Sequence, residues 1–173
     1  MSVATTLGKL VPGLSVEASD RNFVREAWDK LARLPGGKVL FSKLIGRVAP
    51  YTGTIDARVE ELALGRSKVT LRDRPAVRNH LRSVHAVALV NLAELTGNVA
   101  LAYSMPDDAR FIVAGLSIEY LKKARGTITG HCTCPVVATS ERREYDVEVI
   151  LRDGRGEEVA RATLRTLVGP KVR

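Results

Sequence analysis

Apolar positions along the 173-residue chain recur with two different periods, and the change of period divides it. Phe23, Val24, Ala27, Trp28 and Leu31 fall on one helical face, with Ser19 as the expected N-cap. Pro35-Gly36-Gly37 stops that run. A second short helix is predicted with Leu40, Phe41, Leu44, Ile45 and Val48 on its apolar side, closed by Pro50. From Thr54 the period becomes two. Ile55, Ala57 and Val59 alternate with polar neighbours, and Leu62 and Leu64 resume after a register break. Gly65 then turns the chain toward Val69 and Leu71, which predicts two antiparallel strands. After the polar connection Arg72-Asp73-Arg74-Pro75, the segment Val84–Leu95 is apolar on nearly every side. Such a pattern predicts a buried helix near residues 83–96, ended by Gly97. Arg110–Leu121 is rich in β-branched residues and runs into the basic corner Lys122-Lys123-Ala124-Arg125-Gly126, from which Thr127–Ala138 is expected to pair back. Tyr145–Leu151 and Glu157–Leu167 flank Asp153-Gly154-Arg155-Gly156, a strong hairpin signal.

The predicted order is two flanking helices, two strands, one buried helix and four strands. A parallel α/β reading fails because the second half lacks crossover helices. An antiparallel sheet of about six strands wrapped round one apolar helix meets the burial demand of both elements, which makes the expected class α+β with a hotdog fold. Residues 1–50 would form the helical flank and 51–173 the hotdog domain.

Composition narrows the function. Hydrophobic residues make up 45% and charged residues 27%, an ordinary globular balance. The longest uninterrupted apolar stretch, Val84–Val90, contains His85, so no membrane span is expected. Met1–Val16 shows no apolar core followed by a cleavage pattern, so no secretion signal is expected. Cys132 and Cys134 lie two apart, on one face of a strand, a poor start for a disulfide framework, and a reducing cytoplasm is the default. His131 falls on the opposite face and no second Cys/His pair completes a tetrahedral site, so no metal is assigned. The net charge of +8 is first of all that of a solvated basic surface, and beyond that it favours an anionic partner: nucleic acid, a membrane surface or a phosphorylated cofactor. Arg is scattered and aromatics are only 5%, which disfavours nucleic acid and leaves a phosphorylated small molecule.

The candidate chemistry lies where the chain enters the buried helix. Backbone N–H groups at a helix start are unpaired, sit at the positive end of the helix dipole, and can hold a carbonyl oxygen as charge builds on it. Ala86 would supply such a group. Glu94 is the sole carboxylate on the apolar helix, and burial there would raise its pKa and suit it to general-base or nucleophilic work. Its plain alternative is a Glu at a fraying helix end. The two positions are separated by about 12 Å of helical rise, too far for one reacting carbon to touch both. Two copies of the helix lying antiparallel across a two-fold axis would bring the start of one to the end of the other. A homodimer with two composite sites follows, and a tetramer is compatible with it.

The spacing of Asn79, His85 and Glu94 resembles that of the hotdog acyl-CoA thioesterases of the phenylacetate-pathway type, particularly a subgroup with an extra N-terminal helical segment. In that family an Asn stands six positions before a His-Gly-Gly motif and a helix carboxylate nine positions after the His. Here both spacings are kept, whereas Ala86 and Val87 replace the two glycines. The resemblance covers about residues 50–167. It implies thioester hydrolysis with an acyl-CoA substrate and no further cofactor, Asn79 orienting water or substrate, and a coenzyme A path along the basic corner. Lys122, Lys123 and Arg125 would meet its phosphates there, with Gly126 letting the chain turn close to the ligand. His85 would orient the loop. The alternatives are an ordinary turn residue for Asn79, a satisfied half-buried His for His85 and a solubilising strand edge for the corner.

Three other functions compete. Hotdog dehydratases pair a His with a helix Glu fourteen positions later, as His80 and Glu94 are spaced, but the prolines and glycine of that motif have no counterpart between Leu81 and Ala93. A non-catalytic acyl-thioester-binding module fits the Ala86 replacement. A nucleic-acid binder would ignore Glu94 altogether.

Overall fold

The computed structural model describes residues 21–171. The expected Ser19 cap and the Met1–Val16 stretch lie outside them. Helix α1 (Phe23–Leu31) is instead capped by Asn22, whose side chain accepts the Arg25 N–H at 3.1 Å. Helix α2 (Gly37–Val48) follows, and Pro50, placed at the first position of a helix where its missing N–H costs nothing, opens the short α3 (Pro50–Gly53). Trp28 of α1 and Phe41 of α2 meet edge to face with centroids 5.0 Å apart.

Strands β1 (Arg58–Ala63) and β2 (Arg66–Leu71) form the expected hairpin, turned by Gly65 at φ +72°. The register break is a bulge between Val59 and Glu61, which keeps Val59 and Leu62 inward, while Leu64 lies exposed in the turn beyond β1. The buried helix α4 spans Ala86–Ser104. It begins later than predicted and runs through Gly97 rather than ending there. The glycine is required by packing: a Cβ at Gly97 would lie 3.0 Å from Leu164 Cδ2 and 3.1 Å from Val147 Cγ1. Length and composition alone would let α4 cross a membrane, yet 67% of it is buried inside the protein, so its apolarity serves the core.

Strands β3 (Ala109–Tyr120), β4 (Ile128–Thr133), β5 (Arg143–Arg152) and β6 (Glu158–Pro170) complete one antiparallel sheet in the order β1-β2-β4-β5-β6-β3. The expected pairing of β3 with β4 does not occur. The basic corner is a crossover: β4 pairs with β2 and β5, and β3 pairs only with β6 at the sheet edge. Lys and Arg in the corner gave no turn residue for a tight hairpin except Gly126, and local patterning does not encode which distant strand each will meet. The β5–β6 hairpin forms as predicted.

The sheet wraps α4, the hotdog arrangement. The contact is close where side chains are small. Ser67 of β2 donates to the Thr96 carbonyl at 2.7 Å, and a Cβ on Gly130 of β4 would collide with Thr96 Oγ1. Leu92 and Leu101 of α4 and Val147, Leu151 and Leu164 of the sheet are fully buried, each worth about 1.5–3 kcal/mol. The flank belongs to the same hydrophobic cluster. Asn22 and Arg25 of α1 also reach the far end of α4, donating to the Ala102 and Tyr103 carbonyls at 2.5 and 2.8 Å. These carbonyls are among those a helix C-terminus leaves unpaired, and the guanidinium suits the negative end of the dipole.

Candidate functional site

The loop entering α4 is built by Asn79. Its Oδ1 accepts the N–H groups of Leu81 (2.9 Å) and Ser83 (3.2 Å) and the Ser83 hydroxyl (3.1 Å). Asn is suited to this because its short side chain reaches its own backbone two residues on. Arg82 takes φ +55° within the turn, and the exposed His80 and Leu81 stand on it. The loop is tethered by His85 N–H to the Val77 carbonyl (2.8 Å) and Val84 N–H to the Ala124 carbonyl (2.9 Å).

His85 is the N-cap of α4. Its Nδ1 accepts the Val87 N–H at 3.1 Å, so the proton of the neutral ring lies on Nε2. That cap satisfies Val87 and leaves Ala86, the first helical residue, with an N–H that has no acceptor within its own helix. The Tyr120 hydroxyl donates to the Ala86 carbonyl at 3.2 Å, and burial pushes the Tyr120 phenol up, which keeps it protonated for that task. A groove of about 250 Å³ opens here, walled by Asn79, Ser83, Ala86, Tyr120, Lys122 and Lys123 among others. Four of the residues singled out from the sequence, Asn79, Ala86, Lys122 and Lys123, thus converge.

The others do not. His85 and Asn91 line a second pocket of about 210 Å³ with Tyr51 and Arg78. Glu94 is half-buried two turns along α4, where Asn98 Nδ2 lies 3.5 Å from its Oε1. It sits mid-helix, because α4 continues ten residues beyond it, so the fraying-end alternative is removed.

The basic corner divides as well. Lys122 is paired with Glu157 and with Asp153, the latter at 2.9 Å; Glu157 foremost, then Asp153, raise its pKa and commit its charge to the β5–β6 hairpin. Lys123 and Arg125 are exposed. Gly126 takes φ +70° with open space around its missing side chain, so backbone conformation calls for glycine here. Its N–H donates to Asp73 Oδ2 at 2.9 Å, and Asp73 also accepts from Arg78 at 2.6 Å. Cys132 and Cys134 are both buried, with the hydrogen bond to the neighbouring Cys134 foremost, and burial after it, pushing Cys132 up. Among the described residues no group of His, Cys, Asp and Glu is placed to hold a metal.

Asn98, Asn91 and Tyr120 escaped the sequence reading. Asn91, Glu94 and Asn98 recur at helical spacing on an otherwise apolar helix, a polar stripe that could have been found by the same periodicity. Tyr120 could not, because its approach to Ala86 depends on the crossover.

The family described as a domain of unknown function, DUF4442, matches residues 37–168. A crystal structure of a genomics target, APC5556, is similar at 30% identity and TM-score 0.74, covering 86% of this chain and 99% of its own. A Pseudomonas aeruginosa protein described as of unknown function and a probable thioesterase shares 23% identity at TM-score 0.69, over 80% and 97% of the two chains. A thioesterase family protein from Silicibacter pomeroyi shares 16% at TM-score 0.64, over 75% and 96%. No functionally curated protein matches the sequence.

Proposed function

The chain belongs to the DUF4442 family, and we propose that it is a cytoplasmic acyl-CoA thioesterase whose site is composed from two subunits. The observation that carries this reading is the groove at the start of α4. It joins an unpaired helix N-terminal N–H at Ala86 to the Asn79 turn and to the cation Lys123, while Glu94 stands about 12 Å along the helix. The thioester carbonyl oxygen would be held by Ala86 N–H, the coenzyme A phosphates would run toward Lys123 and Arg125, and Glu94 of the partner subunit would activate water. Asn79 keeps the loop in shape, since its Oδ1 is already occupied by three loop donors. The thioesterase names of similar structures support the reaction type. Edge strand β3, bonded on one side only and exposing Ile112, offers a surface on which a second copy could extend the sheet and set the two α4 helices antiparallel.

The test uses two variants, each removing one half of the site. Ala86→Pro deletes the N–H at a position where helices accept proline, and His85 already has the extended backbone (φ −65°, ψ 142°) that proline requires before it. Glu94→Gln deletes the base. Each alone should lose hydrolysis of an acyl-CoA panel. Mixed one to one after subunit exchange, random pairing gives half heterodimers, each with one intact site, and about a quarter of wild-type activity returns. A mixture as inactive as its parents rules out a shared site. Tight acyl-CoA binding without turnover by the wild type leaves a non-catalytic acyl-binding module.

A further inference from the structure

A cavity of about 680 Å³ lies between the helical flank and the sheet, away from the groove described above. Its apolar walls come from Ile45 of α2, Ala57 and Val59 at the start of β1, and Leu95 of α4, with hydroxyls from Ser42, Thr52 and Thr54, and among the described residues no aromatic ring lines it. The exposed Lys43, Arg47 and Asp56 stand around its mouth. Gly46 of α2 and Gly53 of α3 form part of its boundary, and the backbones cross so tightly there that a Cβ on Gly53 would lie 2.6 Å from the Gly46 carbonyl oxygen. The crossing fixes the position of α3 over the cavity and puts no side chain into it.

We infer that this cavity receives the substrate's acyl chain, that the chain is a straight aliphatic one of medium to long length, and that the cavity belongs to the subunit that supplies Glu94. The inference rests on the thioesterase reading and deepens it. Leu95 follows Glu94 directly, about 100° round the same helix, so an acyl group whose carbonyl lies at Glu94 has this wall within reach. The coenzyme A end would remain with the other subunit's groove beside Ala86. Size decides against a small aryl group: a cavity of roughly 150 Å³ already holds benzene, and 680 Å³ is several times larger. Apolar walls with a few hydroxyls and a charged mouth are the lining that binding pockets of this size use for an apolar ligand. The helical flank, which has no part in the chemistry, thereby acquires the role of measuring chain length.

The experiment is a series of straight-chain acyl-CoAs from acetyl to stearoyl, read twice: as kcat/KM with the full-length protein, and as affinity by calorimetry with full-length Glu94→Gln, which should bind without turnover. Affinity should rise about fourfold per methylene, the gain from burying one CH₂ group, until the cavity is full, and then level off. Thr52→Trp and Ala57→Phe, which plug the cavity from different walls, should bring the plateau several carbons earlier, and Ile45→Ala should move it later. Two plugs and one widening keep the test alive if one variant misfolds, which circular dichroism would show. Turnover with a plateau that none of the folded variants moves would overturn the inference and leave the thioesterase reading standing. Binding whose plateau moves, without turnover on any chain, would uphold the cavity and remove the hydrolysis. Absence of acyl-CoA binding would remove both.

Discussion

Asn98 lies one helical turn beyond Glu94 on α4 and holds its amide nitrogen 3.5 Å from the Glu94 carboxylate, the outer limit of a hydrogen bond. The Asn98 Oδ1 is buried with no partner, as is the Oδ1 of Asn91 two turns earlier. A buried acceptor without a donor costs about 1–3 kcal/mol, so this stripe is maintained against packing. In the proposed dimer its half-buried members, Glu94 and Asn98, face the substrate and the partner helix.

Two expectations follow for this pair. Glu94→Gln keeps the shape and the contact with Asn98 but removes the base, so kcat should fall by about 10²–10⁴ with acyl-CoA affinity nearly unchanged. Asn98 acts through Glu94, which makes it a positioning residue. Asn98→Leu should lower kcat by less and leave KM near its wild-type value, a split that a generally disruptive substitution would not give. Steady-state kinetics resolves the two constants, and an unchanged kcat would argue against the contact.

The hairpins, the flank helices and the central helix were legible because each is written locally: turn residues between alternating runs, or an apolar stretch with no polar face. Two features were not. The end of α4 was misread at Gly97 because a glycine chosen to admit Leu164 and Val147 has the same letter as one chosen for a C-terminal turn. The pairing of β3 with β6 was missed because partner choice between distant strands depends on the whole sheet. The site followed suit. Asn79 and Ala86 were placed together by their nearness in sequence, whereas Tyr120 and the commitment of Lys122 to Asp153 and Glu157 depend on the crossover and the far hairpin.

Gly97 should therefore resist substitution even by alanine, a better helix former. The added methyl would sit 3.0–3.3 Å from Leu164, Val147 and Val149, and overpacking of this kind costs about 1–3 kcal/mol. Were Gly97 an interior helical residue with open space around it, Gly97→Ala would be stabilising by the helix-propensity difference, about 1 kcal/mol. Denaturant unfolding therefore gives opposite signs for the two roles.

Lys122 and Lys123 are neighbours with different expected phenotypes. Lys123→Ala should raise KM for acyl-CoA and weaken its salt dependence, because an exposed cation by the groove is lost. Lys122→Ala should release the β5–β6 turn, where Asp153 and Glu157 lose their partner. Hydrogen exchange in residues 152–158 would report that loosening. Equal effects of both variants on KM would mean that Lys122 leaves its carboxylates when substrate binds.

Asp73 joins the loop before the site to the basic corner, since it accepts from the Arg78 guanidinium and from the Gly126 N–H. Arg78 foremost, with Gly126, holds the Asp73 carboxyl below the usual carboxylate range. A group whose folded pKa is depressed contributes stability that is present above its unfolded value, about 3.9, and is lost as pH falls through the folded value. Asp73→Asn keeps the size and loses the charge. It should cost roughly 1–2 kcal/mol between pH 5 and 8, a modest figure because Arg78 is partly exposed and its pairing is screened. The deficit should shrink below pH 4, where the wild-type carboxylate is itself becoming protonated. Thermal unfolding of both proteins across that range would show converging curves. Curves that stay parallel into acid would mean that the charge of Asp73 contributes nothing and that the deficit comes from the amide nitrogen, which faces a donor where Asp73 presents its second oxygen.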